Sequence, residues 1–288
     1  MYAVTGVSGN TGSVVASSLL RQGRKVRVIV RNEEKGAQWR EQGAEVAVAN
    51  LDSAEALRQA LNGVDGLYFL VPPNFQADDG LGFMRRIVDT LHTVLTDNPI
   101  PHIAYLSSIG AQHVAGTGPI RGHHYGEQKL MPLETRFTFI RAAYFMENTA
   151  SLLPSMRDQG ALPVFFDPAK KIPMVSTQDI GETAARVLLE PPAATQVIEL
   201  AGPVEYSILD ASEAYSTRLG KYITPLRIPE EGVVPALRQM GISESVAELF
   251  REMSNGIENG TVDYEGGTAR FIRGTVTLDA FVQQVLAA

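Results

Sequence analysis

The chain has 288 residues, 44% hydrophobic and 20% charged, which suits one sizeable domain or a domain with a cap. A formal net charge of -7 leaves no general basic footprint for nucleic acid. With no cysteine, disulfides, thiolate catalysis and cysteine metal sites are excluded.

Strand and helix patterns alternate through the first half. Tyr2–Thr5 reads as a strand, followed by a helix over Thr11–Gln22 that Gly23 stops. Lys25–Val30 is the second strand, Glu34–Gln42 a helix and Glu45–Ala49 the third strand. Asp52 or Ser53 can cap a helix over Ala54–Leu61. Gly66–Val71 is the fourth strand, Leu81–Thr96 a helix and His102–Ser107 the fifth strand. A glycine-rich loop over Gly110–Gly122 leads to a short helix over His123–Met131, which Pro132 limits, and Thr138–Arg141 is the sixth strand. The alternation then loosens into a helix over Ala150–Asp158, a proline-rich excursion over Gly160–Lys171, a helix over Thr177–Leu189 and a strand over Gln196–Ala201. Helices follow over Asp210–Leu219, Val233–Gln239, Ser243–Gly256 and Leu278–Leu286.

Such alternation predicts an α/β fold, a Rossmann-type doubly wound parallel sheet with a small C-terminal mixed α/β substrate cap. Residues 1–150 and 176–200 are expected to form the dinucleotide-binding domain, and 151–175 and 201–288 the cap. No signal peptide precedes the first strand, and no apolar run approaches the ~18 residues of a membrane helix. The expectation is a soluble cytoplasmic protein without a membrane partner.

The opening residues carry the clearest chemistry. Thr5-Gly6-Val7-Ser8-Gly9-Asn10-Thr11-Gly12 lies between the first strand and the first helix. Gly6 can take backbone angles closed to other residues. Gly9 lets the backbone approach a pyrophosphate, and Gly12 lets the helix pack on the strand. The helix N-terminus offers N–H groups and a positive dipole end to the anion. Gly6, Ser8, Gly9, Asn10, Thr11 and Gly12 are therefore candidate cofactor contacts. The spacing is GxxGxxG, not the commoner GxGxxG.

TGVSGNTG, VIVRNEEKG, AEVAVANLD, VDGLYFLVPP, LSSIGA, FTFIRAAYFMEN, STQDIGETAARVL and VIELAGP occur here in that order. In them the chain resembles the NmrA-like proteins, atypical extended-type members of the short-chain dehydrogenase/reductase superfamily. The resemblance spans nearly the whole chain. It implies NAD(P)(H) binding and a state that is monomeric or homodimeric. It leaves two functional classes open: reductases of quinones, azo compounds and aromatic secondary metabolites, and non-catalytic redox-sensing regulators.

The end of the second strand separates NADP from NAD. An acidic residue there binds the ribose 2′-hydroxyl and repels a 2′-phosphate. This chain has Arg31, which can fork onto a 2′-phosphate, and Lys35 within reach of the same anion. The expected cofactor is NADP(H), with NAD(H) also open because Glu33 and Glu34 lie close by. Asn50 and Asp52, after the third strand, are expected to hydrogen-bond the adenine, Asp52 serving equally as a helix cap, and Leu51 between them is a further candidate cofactor contact. Leu70, Val71 and Pro72, after the fourth, are expected under the ribose, and Tyr144 beside the nicotinamide.

Ordinary short-chain dehydrogenases supply a proton from a Tyr-x-x-x-Lys pair whose lysine lowers the phenol pKa. Tyr125 and Lys129 have that spacing and are candidate catalytic residues. The resemblance, aligned back from Arg141, instead puts the family's glutamate at Glu127, its lysine position at His123 and its tyrosine position at Pro119. The visible pair is then six residues late. On an α-helix that is a rotation of about 240°, which turns it largely away from the cofactor. His123 is a further candidate, able to donate or relay a proton near neutrality and sharing a helical face with Glu127. It serves either in that role or in fixing the loop. Ser107, with Ser108, serves either to orient a carbonyl or as a strand-end turn. No metal site is expected, since adjacent His123 and His124 lack helical ligand spacing. Quinone-like acceptors demand less of the protein than ketones do, so a small aromatic substrate is expected. Phe75, Tyr144, Phe145, Phe165 and Phe166 are placed near its pocket.

Overall fold

The computed structural model describes residues 1–267 and 269–287. Eight strands lie parallel in one sheet. In chain order they are β1 (Tyr2–Thr5), β2 (Val26–Val30), β3 (Glu45–Val48), β4 (Gly66–Phe69), β5 (His102–Ser108), β6 (Arg136–Ala142), β10 (Gln196–Ala201) and β13 (Arg270–Arg273). The remaining strands are β7 (Tyr144–Phe145), β8 (Ala161–Val164), β9 (Ile172–Val175), β11 (Glu205–Tyr206) and β12 (Thr224–Arg227). The order across the main sheet is β13-β10-β6-β5-β4-β1-β2-β3. Strand order reverses at β1, which lies between β2 and β4, so a crevice opens there at the carboxyl ends of the strands.

Residue alternation explains why helices cover both faces. Val4, Val28, Tyr68, Ile140 and Ile198 point to one side, where they pack with α1 (Asn10–Arg21) and α8 (Thr177–Leu189). Ala3, Ile29, Phe69, Tyr105 and Phe139 point to the other. There they meet α3 (Ala54–Ala60), α4 (Gly80–Asp97) and α5 (Ile120–Leu130). Strands buried on both faces have little use for polar positions, as in parallel sheets generally.

A third core joins Met146, Met156, Leu162, Phe166, Met174, Tyr215 and Phe281 in the cap. It is closed by α9 (Ile208–Leu219) and α12 (Leu278–Ala287). A small cluster of Val233, Leu237 and Ala247 joins α10 (Glu230–Gln239) to α11 (Glu244–Asn259).

Several elements differ from the sequence reading. The helix expected over Glu34–Gln42 begins as a 3-10 turn, Glu33–Gly36, capped by Asn32, and continues as α2 (Ala37–Glu41). The helix over Ala150–Asp158 is two, α6 (Glu147–Ala150) and α7 (Leu153–Gln159), the second opening on Pro154. The proline-rich excursion contains β8, which pairs with β12 and turns Leu162 and Val164 inward. Pro163 fits there because the ribbon has only two strands and an unpaired side for a residue without an N–H. The largest difference is β13. It lies in the stretch expected to be cap, yet it adds the eighth strand to the main sheet. Its Arg-Phe-Ile-Arg sequence hides this, because a short edge strand with charged ends shows little alternation.

Candidate active site

At the crevice lies a cavity of about 590 Å³. Its first wall is the glycine turn. Gly6 sits at φ +67°, left-handed backbone that suits glycine, and its carbonyl accepts the Gly9 N–H at 2.9 Å. Gly12 lets α1 approach: a Cβ there would lie 2.5 Å from the Gly6 and Thr5 carbonyl oxygens. Gly9 caps α1 without a side-chain hydrogen bond, so the first-turn N–H groups have no capping oxygen. Tyr68 donates its hydroxyl to Thr11 Oγ at 2.8 Å, which ties β4 to this turn.

Gly6, Ser8, Gly9, Asn10, Thr11, Arg31, Leu70, Val71 and Pro72 all line the cavity, as do Ser107, His123 and Tyr144. Arg31 is exposed and, among the described residues, has no carboxylate partner. Its neighbour Glu33 is turned onto Arg40 at 2.8 Å. Gly12 lies behind the wall in its packing position. Lys35 is exposed and does not reach the cavity; its N–H is taken by Asn32. Asn50 is exposed and its carbonyl accepts from Ser53, while Leu51 is buried in the core with α3 and α4. Neither lines the cavity. Ser53, not Asp52, caps α3.

Tyr125 and Lys129 are not brought to the cavity. Tyr125 donates to Asp89 Oδ1 on α4 at 2.6 Å, and Lys129 Nζ lies 3.9 Å from the same oxygen. The hydrogen bond to Asp89 raises the Tyr125 pKa, with burial adding to it. A lowered phenol pKa is what a catalytic dyad requires, so these residues are corrected from candidate catalysts to a link between α4 and α5. At the tyrosine position of the family register, Pro119 lines the cavity and has no proton to give.

His123 does reach the cavity, but its chemistry differs from expectation. Burial lowers its pKa to about 4, so the ring is neutral at pH 7. It packs edge-on against Tyr105, and Nδ1 is buried without a partner. Glu127 does not orient it. That carboxylate is committed elsewhere, accepting from Ser107 Oγ at 2.6 Å and from a two-nitrogen fork of Arg141 at 3.0 and 2.6 Å. His124 is held by the Ala111 carbonyl at 2.8 Å. Among the described residues no cluster of three His, Cys, Asp or Glu side chains could hold a metal ion.

The far wall is apolar and is built from the strip after β6, from β9 and the start of α8, and from α11. Tyr144 and Phe145 line it, with Asn148, Ile172, Pro173 and Thr177. Burial pushes the Tyr144 phenol up to about 12. From α11 come Phe250, Met253 and Ile257, a stripe the sequence reading missed. Phe166 backs Tyr144 edge-on, Phe165 packs beside α10 and α11, and Phe75 lies 6.2 Å from Phe250; these three do not line the cavity. The strip after β4 is fastened to α11 by Ser243, whose N–H donates to the Phe75 carbonyl and whose hydroxyl donates to Ala77.

Comparison with known proteins agrees with this geometry. The model of the NmrA-like family matches residues 2–270. The NAD(P)H azoreductase of Xenophilus azovorans is 25% identical over 258 residues, 88% of this chain and 86% of its own. Quinone oxidoreductase 2 of Escherichia coli (strain K12) is 26% identical over 264 residues, 90% of this chain and 89% of its own. Among solved structures, the fold is shared with the NADPH complex of the Escherichia coli NADPH-dependent quinone oxidoreductase QOR2, at a TM-score of 0.81 and 23% identity, covering 99% of this chain and 100% of that one. The Citrobacter sp. triphenylmethane reductase complexed with NADP(H) gives 0.82 and 23%, with coverage of 99% and 100%.

Proposed function

Since the chain belongs to the NmrA-like family, we propose that it is an NADPH-dependent reductase that delivers hydride to a quinone-like or other flat aromatic acceptor. The observation that carries this reading is one continuous cavity with two unlike ends. At one end stand a glycine turn, uncapped helix N–H groups and the unpaired Arg31; at the other stands an apolar wall of Tyr144, Phe145, Phe250 and Met253. The names of the relatives fit this, since azo compounds, quinones and triphenylmethane dyes are all aromatic acceptors.

The residues present fit a dinucleotide. Gly6, Gly9 and the first turn of α1 would hold the pyrophosphate; a side chain at Gly6 would run into Leu70 on the cavity wall, and one at Gly12 would push α1 away from the turn. Arg31, on the cavity wall, would fork onto the dinucleotide's 2′-phosphate. NADPH, when bound, supplies the hydride. The chain would do the rest: the ends of β4, β5 and β6 would position the two rings, and the apolar wall would pack against the acceptor. Neither His123, neutral at pH 7, nor Tyr144, a very weak acid, provides a proton in that range. The reduced acceptor takes its proton from solvent. A non-catalytic sensor has no need of an apolar wall of Phe250, Met253 and Ile257 facing its dinucleotide site, and this favours the reductase.

The test is NADPH oxidation by the purified protein with a panel of quinones, azo dyes and triphenylmethane dyes. Saturable turnover, faster with NADPH than with NADH, is expected. Tight NADPH binding with no turnover on any member would overturn the reading in favour of the sensor.

A further inference from the structure

The hydroxyl groups on the cavity wall are sorted by where their protons go. Near the glycine turn, Ser8 is exposed and Thr11 Oγ accepts from Tyr68, so both keep a proton to donate. That suits an anion. Beyond the turn the order is reversed. Ser107 donates to Glu127 at 2.6 Å, Ser108 to the Ile109 carbonyl at 3.0 Å, and Thr177 to Glu147 at 2.5 Å. All three line the cavity.

These donor assignments are fixed by the partners. A carbonyl can only accept. Glu127 is 1% exposed, and its two oxygens take the Arg141 fork, so toward Ser107 it stands as an acceptor. Glu147 Oε1 accepts both the Thr177 N–H at 2.9 Å and its hydroxyl at 2.5 Å. Each hydroxyl has one hydrogen and two lone pairs. With the hydrogen spent inside the protein, only lone pairs are left for a ligand.

We propose that Ser107 is an acceptor-only subsite that recognises an aromatic ligand carrying its own phenolic O–H. Glu127, braced by Arg141, is the positioning residue that keeps the serine proton out of the cavity. The site thereby favours a hydroxylated acceptor, or a hydroquinone-type product, over the same ring bearing only carbonyl or ether oxygens. A bare carbonyl oxygen placed at Ser107 meets lone pair with lone pair. Of the remaining polar groups at this end, Tyr144 is hydrogen-bonded with Asn148, and His123 Nδ1 has no partner. This inference rests on the reading of the cavity as an aromatic acceptor site.

The experiment compares equilibrium binding of 1-naphthol, 1-methoxynaphthalene and 1,4-naphthoquinone to the NADP⁺-loaded protein. The wild type is expected to prefer naphthol to its methyl ether by roughly tenfold, the worth of one good hydrogen bond. Ser107→Ala, which leaves the Glu127–Arg141 pair in place, should reduce that ratio to below about twofold, and Ser107→Thr should restore it. Glu127→Gln frees the serine proton and should shift preference toward the ether and the quinone. Thermal unfolding of each variant confirms folding, and the serine pair alone decides the matter if the glutamine variant does not fold. A wild type indifferent to the methyl group overturns the proposal. So does a Ser107→Ala variant that keeps the preference. An equal loss of NADP⁺ affinity in Ser107→Ala also overturns it, because the lone pairs would then serve the cofactor. Failure of turnover across the dye and quinone panel bears instead on the reductase reading, which these binding ratios do not require.

Discussion

Tyr125 donates its hydroxyl to Asp89 at 2.6 Å, and this bond ties the one Tyr-x-x-x-Lys pair to α4, away from the cavity. Lys129 approaches the same carboxylate, at 3.9 Å. Tyr125→Phe is therefore expected to leave kcat/KM with NADPH and a quinone within about twofold of the wild type, while lowering stability by no more than ~1 kcal/mol. Steady-state kinetics beside a urea titration check both. A loss of kcat comparable to removing a general acid, ~100-fold or more, would return the pair to the chemistry.

Arg31 lines the cavity, and Glu33, the carboxylate nearest in sequence, is occupied by Arg40. Arg31→Ala is expected to weaken NADPH binding by ~10–100-fold, the range of a charge-assisted hydrogen bond, and to change NADH binding little. Because the guanidinium is exposed, the preference for NADPH in the wild type should shrink as salt rises. Titration of both cofactors at low and high salt reads this directly.

Gly12 has no room for a methyl group, since the backbone of Gly6 and Thr5 is already there. Gly12→Ala pushes α1 off β1. The expected loss of stability is ~1–3 kcal/mol. Dinucleotide affinity should fall more than the lost stability alone would bring, because the helix N–H groups move with the helix. Unchanged NADPH affinity at a reduced melting temperature would detach the helix position from the phosphate site.

His123 and His102 both have pKa values lowered to about 4 by burial, Arg136 adding to the effect at His102. Each ring is neutral in the folded protein and takes up a proton near pH 6.5 once unfolded. Between those values the unfolded state binds more protons. Stability is therefore full above pH 6.5, declines as pH falls toward 4 and levels off below it. For fully buried His102 the span is ~3 kcal/mol. Urea midpoints measured across this window should fall with pH, and His102→Gln should flatten the slope. A neutral His123 also predicts a kcat/KM without an inflection from this residue between pH 5 and 8.

How far the sequence reveals this molecule depends on the kind of signal. The glycine turn is legible because only small residues serve where Gly6 turns and Gly12 packs. The β1 to β6 alternation is legible because both faces of the sheet demand apolar residues. The outward facing of Tyr125 also follows, once the family resemblance sets the register at His123 and Glu127 and the helical period is applied to it. The stripe of Phe250, Met253 and Ile257 does not. Its spacing is that of any buried helix face, and it reaches the cavity only because α11 is fastened to the strip after β4 through Ser243. The histidine pKa escapes the sequence for the same reason, since the burial around it comes from elsewhere in the fold. Leu51 sits where a strand-end residue could meet the adenine, but its apolar side chain takes the core instead.

The position of β13 has a consequence for how the chain is made. β10 pairs with β6 on one edge and with β13 on the other, and everything from β11 to α11 is synthesised between them. Until Arg270–Arg273 leaves the ribosome, the apolar strand Gln196–Ala201 presents a row of unpaired N–H and carbonyl groups. Such an edge is a template for other chains. The nascent protein thus carries this open edge until late in translation, long after β1 to β6 have emerged.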